Sequence, residues 1–210
     1  QCVFVNGECR QAGFAGGLAN PAAFARGRCE LSEVSTGEIC SGGESAAILA
    51  LLRERREQLV LAESCTAGLI AATLGQVPGM SQHFCGSLVV YQIASKLSWL
   101  GLPSGAVTEA NVVSRETAER MSAGALLQTP QATLAMAITG HFGPGAPSDL
   151  DGVAWLAIRY REYPAESFEL KLAESVPAGA VSLRVYRQQQ AVERALALLL
   201  KSLRTAAARR

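Results

Sequence analysis

Aspartate and lysine are nearly absent from this 210-residue chain. Asp149 and Asp151 stand alone among 18 acidic residues, and Lys96, Lys171 and Lys201 among 19 basic ones. Where arginine serves for almost every surface cation, a retained lysine is notable, because lysine can be tuned into a base and arginine cannot. An excess of one charge is also missing. The net charge is +1, which leaves no surplus of cations to displace counterions and excludes a mainly electrostatic nucleic-acid binder. No apolar run approaches the roughly 18 residues of a membrane-spanning helix, so no membrane partner is expected. There are two histidines, and no Cys-x-x-Cys pair occurs among the six cysteines.

What is present is apolar residues, at 49%. That content argues against disorder and for one domain of ordinary size with a buried core. The cysteines fall at 2, 9, 29, 40, 65 and 85. A zinc site from Cys2, Cys9, Cys29 and Cys40 is one reading of the first four, although their spacing is irregular. Unpaired thiols in a reducing cytoplasm is the plainer one, and a cytoplasmic protein is expected. The chain starts at Gln1 with neither Met nor a basic-then-apolar leader, as a truncated or processed start would.

Residues 1–43 are rich in Gly, Ala and Ser, show no sustained period, and read as a poorly ordered or truncated extension. Residues 44–205 read as one domain. The periodicity predicts helices over 45–58, up to about 76, 92–100, 114–127 and 181–203. Strands are predicted over 59–62, 86–91, 132–138, 153–159 and 167–172. Alternating strands and helices imply a layered α/β/α domain around a mostly parallel, mixed sheet. Ligands of such sheets bind outside the carboxyl ends of the strands, where three polar, Gly-containing loops fall.

The first of these loops, Glu63-Ser64-Cys65-Thr66-Ala67-Gly68, places a serine at a strand-to-helix turn. Its hydroxyl lies beside the free N–H groups of a helix start, where an oxyanion or phosphate is welcome. Alternatively Ser64 simply caps the helix. Tyr91 follows an apolar strand and Lys96 lies five residues on, so a partly desolvated Lys96 is a candidate general base with Tyr91 relaying or orienting the proton. A snorkelling lysine and a rim tyrosine are the alternative. The segment Thr139-Gly140-His141-Phe142-Gly143-Pro144-Gly145 has neither a P-loop lysine nor dinucleotide spacing, yet its amides suit an anion. A triad of Ser64, His141 and Asp149 or Asp151, and a metal on His141 with both Asp, match no standard spacing. His83 reads as structural.

Together these residues resemble a known family. Ala62 to Gly68, Pro78-Gly79-Met80-Ser81, Gly86 with Tyr91 and Lys96, Leu100-Gly101, Val113-Ser114 with Ala118 and Met121, and Ile138-Thr139-Gly140 with Gly143-Pro144 are similar to the CinA C-terminal domain. The resemblance covers about residues 44–200. It implies a nicotinamide-nucleotide amidase, which hydrolyses the carboxamide of a small-molecule nucleotide, nicotinamide mononucleotide, without metal or cofactor. It implies Ser64 as nucleophile, Tyr91 and Lys96 as its activators, and Ser81 and Thr139 as polar residues of the site. With it, the turn's Cys65 and Thr66 amides and Gly140 are expected to line the substrate. A homo-oligomer also fits the family. Four departures stand out: Ala67 where a second Gly is usual, Gln92-Ile93-Ala94, His141-Phe142 as an aromatic pair at the rim, and no recognisable Gly-Asp-Arg segment near Arg184 and Arg187. They leave open an alternative, a CinA-like module that binds a nucleotide without turning it over.

Overall fold

The computed structural model describes residues 2–5, 8–11, 42–176 and 182–205. Near the start, β1 (Cys2–Val5) pairs antiparallel with β2 (Glu8–Gln11), Cys2 facing Gln11 and Val5 facing Glu8. Here the expectation of an irregular extension is corrected. Cys-Val-Phe-Val is a β-branched and aromatic run, but four residues are too few to display a period. This ribbon belongs to a unit of its own, Gln1–Glu38. The zinc alternative needs Cys29 and Cys40, which lie outside the described residues.

The second unit runs through α1 (Gly42–Arg55), β3 (Leu59–Glu63), α2 (Leu69–Gly75), β4 (Phe84–Val89), α3 (Ile93–Trp99), α4 (Arg115–Gln128), β5 (Leu134–Gly140), β6 (Val153–Tyr160), β7 (Glu166–Lys171) and α5 (Leu183–Thr205). Its sheet has the order β4-β3-β5-β6-β7. β3 pairs parallel with both β4 and β5, whereas β5–β6 and β6–β7 are antiparallel. Parallel neighbours need a long crossover, and helices supply it between β3, β4 and β5. The loops 141–152 and 161–165 carry no helix, so the chain turns straight back and the sheet is mixed.

β3 explains the layering. Leu59 and Leu61 face a core with Ile48 and Leu52 of α1, Leu74 of α2 and Leu196 and Leu199 of α5. Val60 and Ala62 face the other side with Ala135 and Ala137 of β5 and Met121 and Ala125 of α4. The period of two along each strand thus fills both faces with apolar side chains, as a sheet covered on both sides requires. The second face is lined by alanines, and α4 approaches closely. A Cβ on Gly124 would stand 2.6 Å from the Leu100 carbonyl oxygen. Among the described residues no helix is long and apolar enough to cross a membrane.

Gly124→Ala ordinarily strengthens a helix by about 1 kcal/mol. Here the collision with backbone reverses the sign, and we expect a loss of about 1–3 kcal/mol, read as a lower urea midpoint. An unchanged or raised midpoint contradicts the close packing of α4.

Candidate active site

β3, β4 and β5 all end at one edge of the sheet, and the site is built there. Glu63 closes β3 and is 1% exposed. One carboxylate oxygen accepts from Thr66 Oγ1 at 2.8 Å and from the Gly68 and Ile70 amides at 3.1 Å each. The other accepts from the Ala71 amide and from Ser87 Oγ, both at 3.0 Å. The orphan amides at the start of α2 are therefore taken up by a carboxylate five residues ahead of the Gly68 N-cap, whose own residue offers no side chain. Ser64 does not cap this helix. The intervening turn passes through the left-handed region at Ala67 (φ 52°) and Gly68 (φ 94°). Glycine adopts it freely at 68; at Ala67 it costs about 1–2 kcal/mol, and the Glu63 contacts on either side hold it.

Freed from capping, Ser64 continues the alternation of Val60 and Ala62 onto the α4 side. It is buried, and its Oγ lies 2.8 Å from Lys96 Nζ. Lys96 sits on α3 one turn before the buried Leu100 and is fully buried itself. It also donates to the Val90 carbonyl at 2.8 Å and the Tyr91 carbonyl at 3.2 Å. Burial pushes its pKa down to about 8, against smaller opposing pulls from Cys65 and Glu109. A neutral amine has two protons and one lone pair. The two carbonyls accept the protons, and the lone pair is left for the Ser64 hydroxyl.

Tyr91 joins this centre through its carbonyl, not its phenol. Its hydroxyl pairs with the Arg184 guanidinium, which also donates to the Gly143 carbonyl at 2.6 Å. Arg187 is buried and grips Asp151 with two bonds of 2.6 and 2.9 Å. It holds the Asp151 carboxyl below its usual range, chiefly through these bonds. Gln188 donates to the Cys65 carbonyl at 3.1 Å. Residues 184, 187 and 188 share one face of α5. Neither Arg187 nor Gln188 was recognisable by spacing, since their partners are 36 and 123 residues away.

The amides of Cys65 and Thr66 take no part in the turn's backbone bonds, which run from Ala67 to Ser64 and from Leu69 to Thr66. Burial raises the Cys65 thiol to about 12, so its sulfur behaves as a core group. Thr139 is buried and donates to the Val112 carbonyl at 2.8 Å, tying the preceding loop over β5. Gly140 permits close pairing with β6, because a Cβ there would stand 2.6 Å from that of Ala154.

Two expected positions are corrected. Ser81 is exposed and precedes β4, whose first residue Phe84 pairs with Leu59 at the start of β3. The length of β3, five residues and about 17 Å, separates it from the end that carries Ser64. Phe142 is not at a rim. It is 2% exposed and packs in the core with Ile138 and Leu172. The alternative triad does not form: Ser64 pairs with Lys96, and Asp151 with Arg187. Among the described residues no cluster of three or more His, Cys, Asp or Glu is placed to hold a metal ion.

Glu63→Gln keeps the shape but turns a donor toward donors. We expect about 2–4 kcal/mol of lost stability in urea unfolding, and a loss below about 1 kcal/mol contradicts the capping role.

Residues 43–203 match the model of the CinA C-terminal domain. The CinA-like protein of Myxococcus xanthus is 40% identical over 116 residues, 54% of this chain and 27% of its own length. The CinA-like protein of Geobacter metallireducens is 39% identical over 127 residues, 58% of this chain and 30% of its own. The chain thus spans less than a third of the length of these curated relatives. Among solved structures, the competence/damage inducible protein CihA of Agrobacterium tumefaciens superposes with a TM-score of 0.68 at 29% identity, covering 77% of this chain and 94% of the other. The competence damage-inducible protein A of Klebsiella pneumoniae does so with 0.68 at 26%, covering 77% and 95%. By sequence and by fold, this chain belongs to the CinA C-terminal domain family.

Proposed function

We propose that the chain is a serine amidohydrolase, and that its substrate is nicotinamide mononucleotide, hydrolysed to nicotinic acid mononucleotide and ammonia. The observation that carries the reading is the 2.8 Å contact between Ser64 Oγ and the buried Lys96 amine, whose other protons go to two carbonyls. Neutral Lys96 takes the Ser64 proton as Oγ attacks the amide carbon. The amides of Cys65 and Thr66 hold the oxyanion. Lys96 then gives its proton to the departing nitrogen, the C–N bond breaks and ammonia leaves. Water, deprotonated by Lys96, hydrolyses the acyl-Ser64 ester and restores the serine.

Arg184 suits the nucleotide's phosphate. Its partners, a phenol and a carbonyl, are neutral, whereas the charge of Arg187 is met by Asp151. The alternative of a binding-only module drew on an aromatic pair at the rim, and the burial of Phe142 removes half of that pair.

Ammonia release from nicotinamide mononucleotide, abolished by Ser64→Ala, tests the reading; no release from folded protein contradicts it. Lys96, with a pKa near 8, is neutral in about a tenth of molecules at pH 7. The base works deprotonated, so kcat/KM should rise about tenfold per unit below pH 8 and level off above it. Lys96→Arg keeps the charge but cannot become neutral, and turnover should fall at least about 1000-fold. A flat profile from pH 6 to 9, or an active Lys96→Arg variant, contradicts Lys96 as the base.

A further inference from the structure

We infer that Gln188 of α5 is a positioning residue for the oxyanion donors: by fixing the Cys65 carbonyl it aims the Thr66 amide toward the Ser64 hydroxyl's side of the turn. This rests on the amidase reading.

The Cys65–Thr66 peptide is a planar unit in which the Cys65 carbonyl and the Thr66 N–H point in opposite directions. Gln188 holds that carbonyl at 3.1 Å. A carbonyl only accepts, so the amide group of Gln188 presents its NH2 and the orientation of the side chain follows. α5 packs on the face of the sheet that carries Leu59 and Leu61. The Cys65 carbonyl is drawn to that side, and the Thr66 N–H is turned to the opposite one. Ser64 lies there, next in the alternation after Val60 and Ala62, whose cluster includes α4. Thr66 itself is held by its hydroxyl on Glu63 at 2.8 Å, and the preceding carbonyl, of Ser64, by the Ala67 amide at 3.0 Å. Each neighbour of the critical peptide is therefore tethered within the turn, while the peptide's own orientation depends on a side chain from α5. Left-handed backbone at Ala67 and Gly68 brings alternative arrangements of the turn close in energy. Without Gln188 the peptide can rotate, and a rotated peptide presents a carbonyl where the oxyanion needs a donor.

The experiment compares the full-length chain with its Gln188→Leu variant, which keeps the bulk and removes the donor. Ammonia release from nicotinamide mononucleotide gives kcat and KM, and the Thr66 amide resonance reports the peptide directly. Loss of an oxyanion donor costs about 100- to 1000-fold; misaiming one should lower kcat about 10- to 100-fold. KM should stay within about twofold, the Thr66 resonance should shift, and the melting temperature should stay within a few degrees. An unchanged kcat in an active protein overturns the inference. So does a rise in KM at constant kcat, or a fall in kcat with the Thr66 resonance unmoved. Absence of release from the wild-type chain, equal to a Ser64→Ala control, overturns the amidase reading instead.

Discussion

An amine sealed from water must have every proton accepted and every lone pair met. Lys96 meets that demand with three oxygens: two backbone carbonyls at the end of β4 and the hydroxyl of Ser64. The carbonyls belong to Val90 and Tyr91, where the chain leaves the sheet, and are free to accept because no further strand pairs there. The geometry works only if α3 begins at once, so that Lys96 returns over the strand end one turn later. It also requires β3 and β4 to be parallel neighbours ending together, which places Ser64 beside Val90. Strand order, the short connection and the layering all converge on one nitrogen. Burial disfavours the charged amine, and the same burial makes it a base near neutral pH.

Around that nitrogen the remaining architecture holds things still. Glu63 shapes the nucleophile's turn from within, with five hydrogen bonds and its charge set on the start of α2. α5 shapes it from outside. Arg184 reaches Tyr91 and Gly143, Arg187 reaches Asp151 and the Ala173 carbonyl, and Gln188 reaches Cys65. These contacts land on the segments that follow β4, β5, β7 and β3. One helix face thereby fixes the loops that the sheet leaves open. Glycines 143 and 152, both at positive φ, make room for the Arg187–Asp151 pair, since a Cβ at either would stand 3.0–3.3 Å from it.

Much of this was legible in the residues. Each predicted element of the second unit lies within two or three residues of the observed one, because burial on both sheet faces imposes strong periodicity. Ser64 and Lys96 were legible as a serine at a strand-to-helix turn and a rare lysine. The role of Glu63 was not, since a carboxylate beside a serine carries no mark of the five donors that fold back on it. Arg187 and Gln188 escaped because long-range polar contacts leave no periodic trace. Phe142 was misplaced because a Gly-rich loop suggests exposure, while its aromatic ring falls back into the core at the end of β5. Ser81 was misplaced by proximity in sequence to β4, whose direction carries it to the far end of the sheet. The four-residue strands β1 and β2 were too short for a pattern to show.

The most direct measurement is the titration of Lys96 itself, followed by NMR at its 13C-labelled ε-carbon and assigned with Lys96→Arg. With only three lysines in the chain the signals are readily separated. The account predicts a midpoint near pH 8, the value at which a buried amine facing Ser64 can act as its base. A midpoint at the ordinary lysine value of 10.5 would contradict it, for Lys96 would then stay charged wherever the protein works, with no lone pair for the serine.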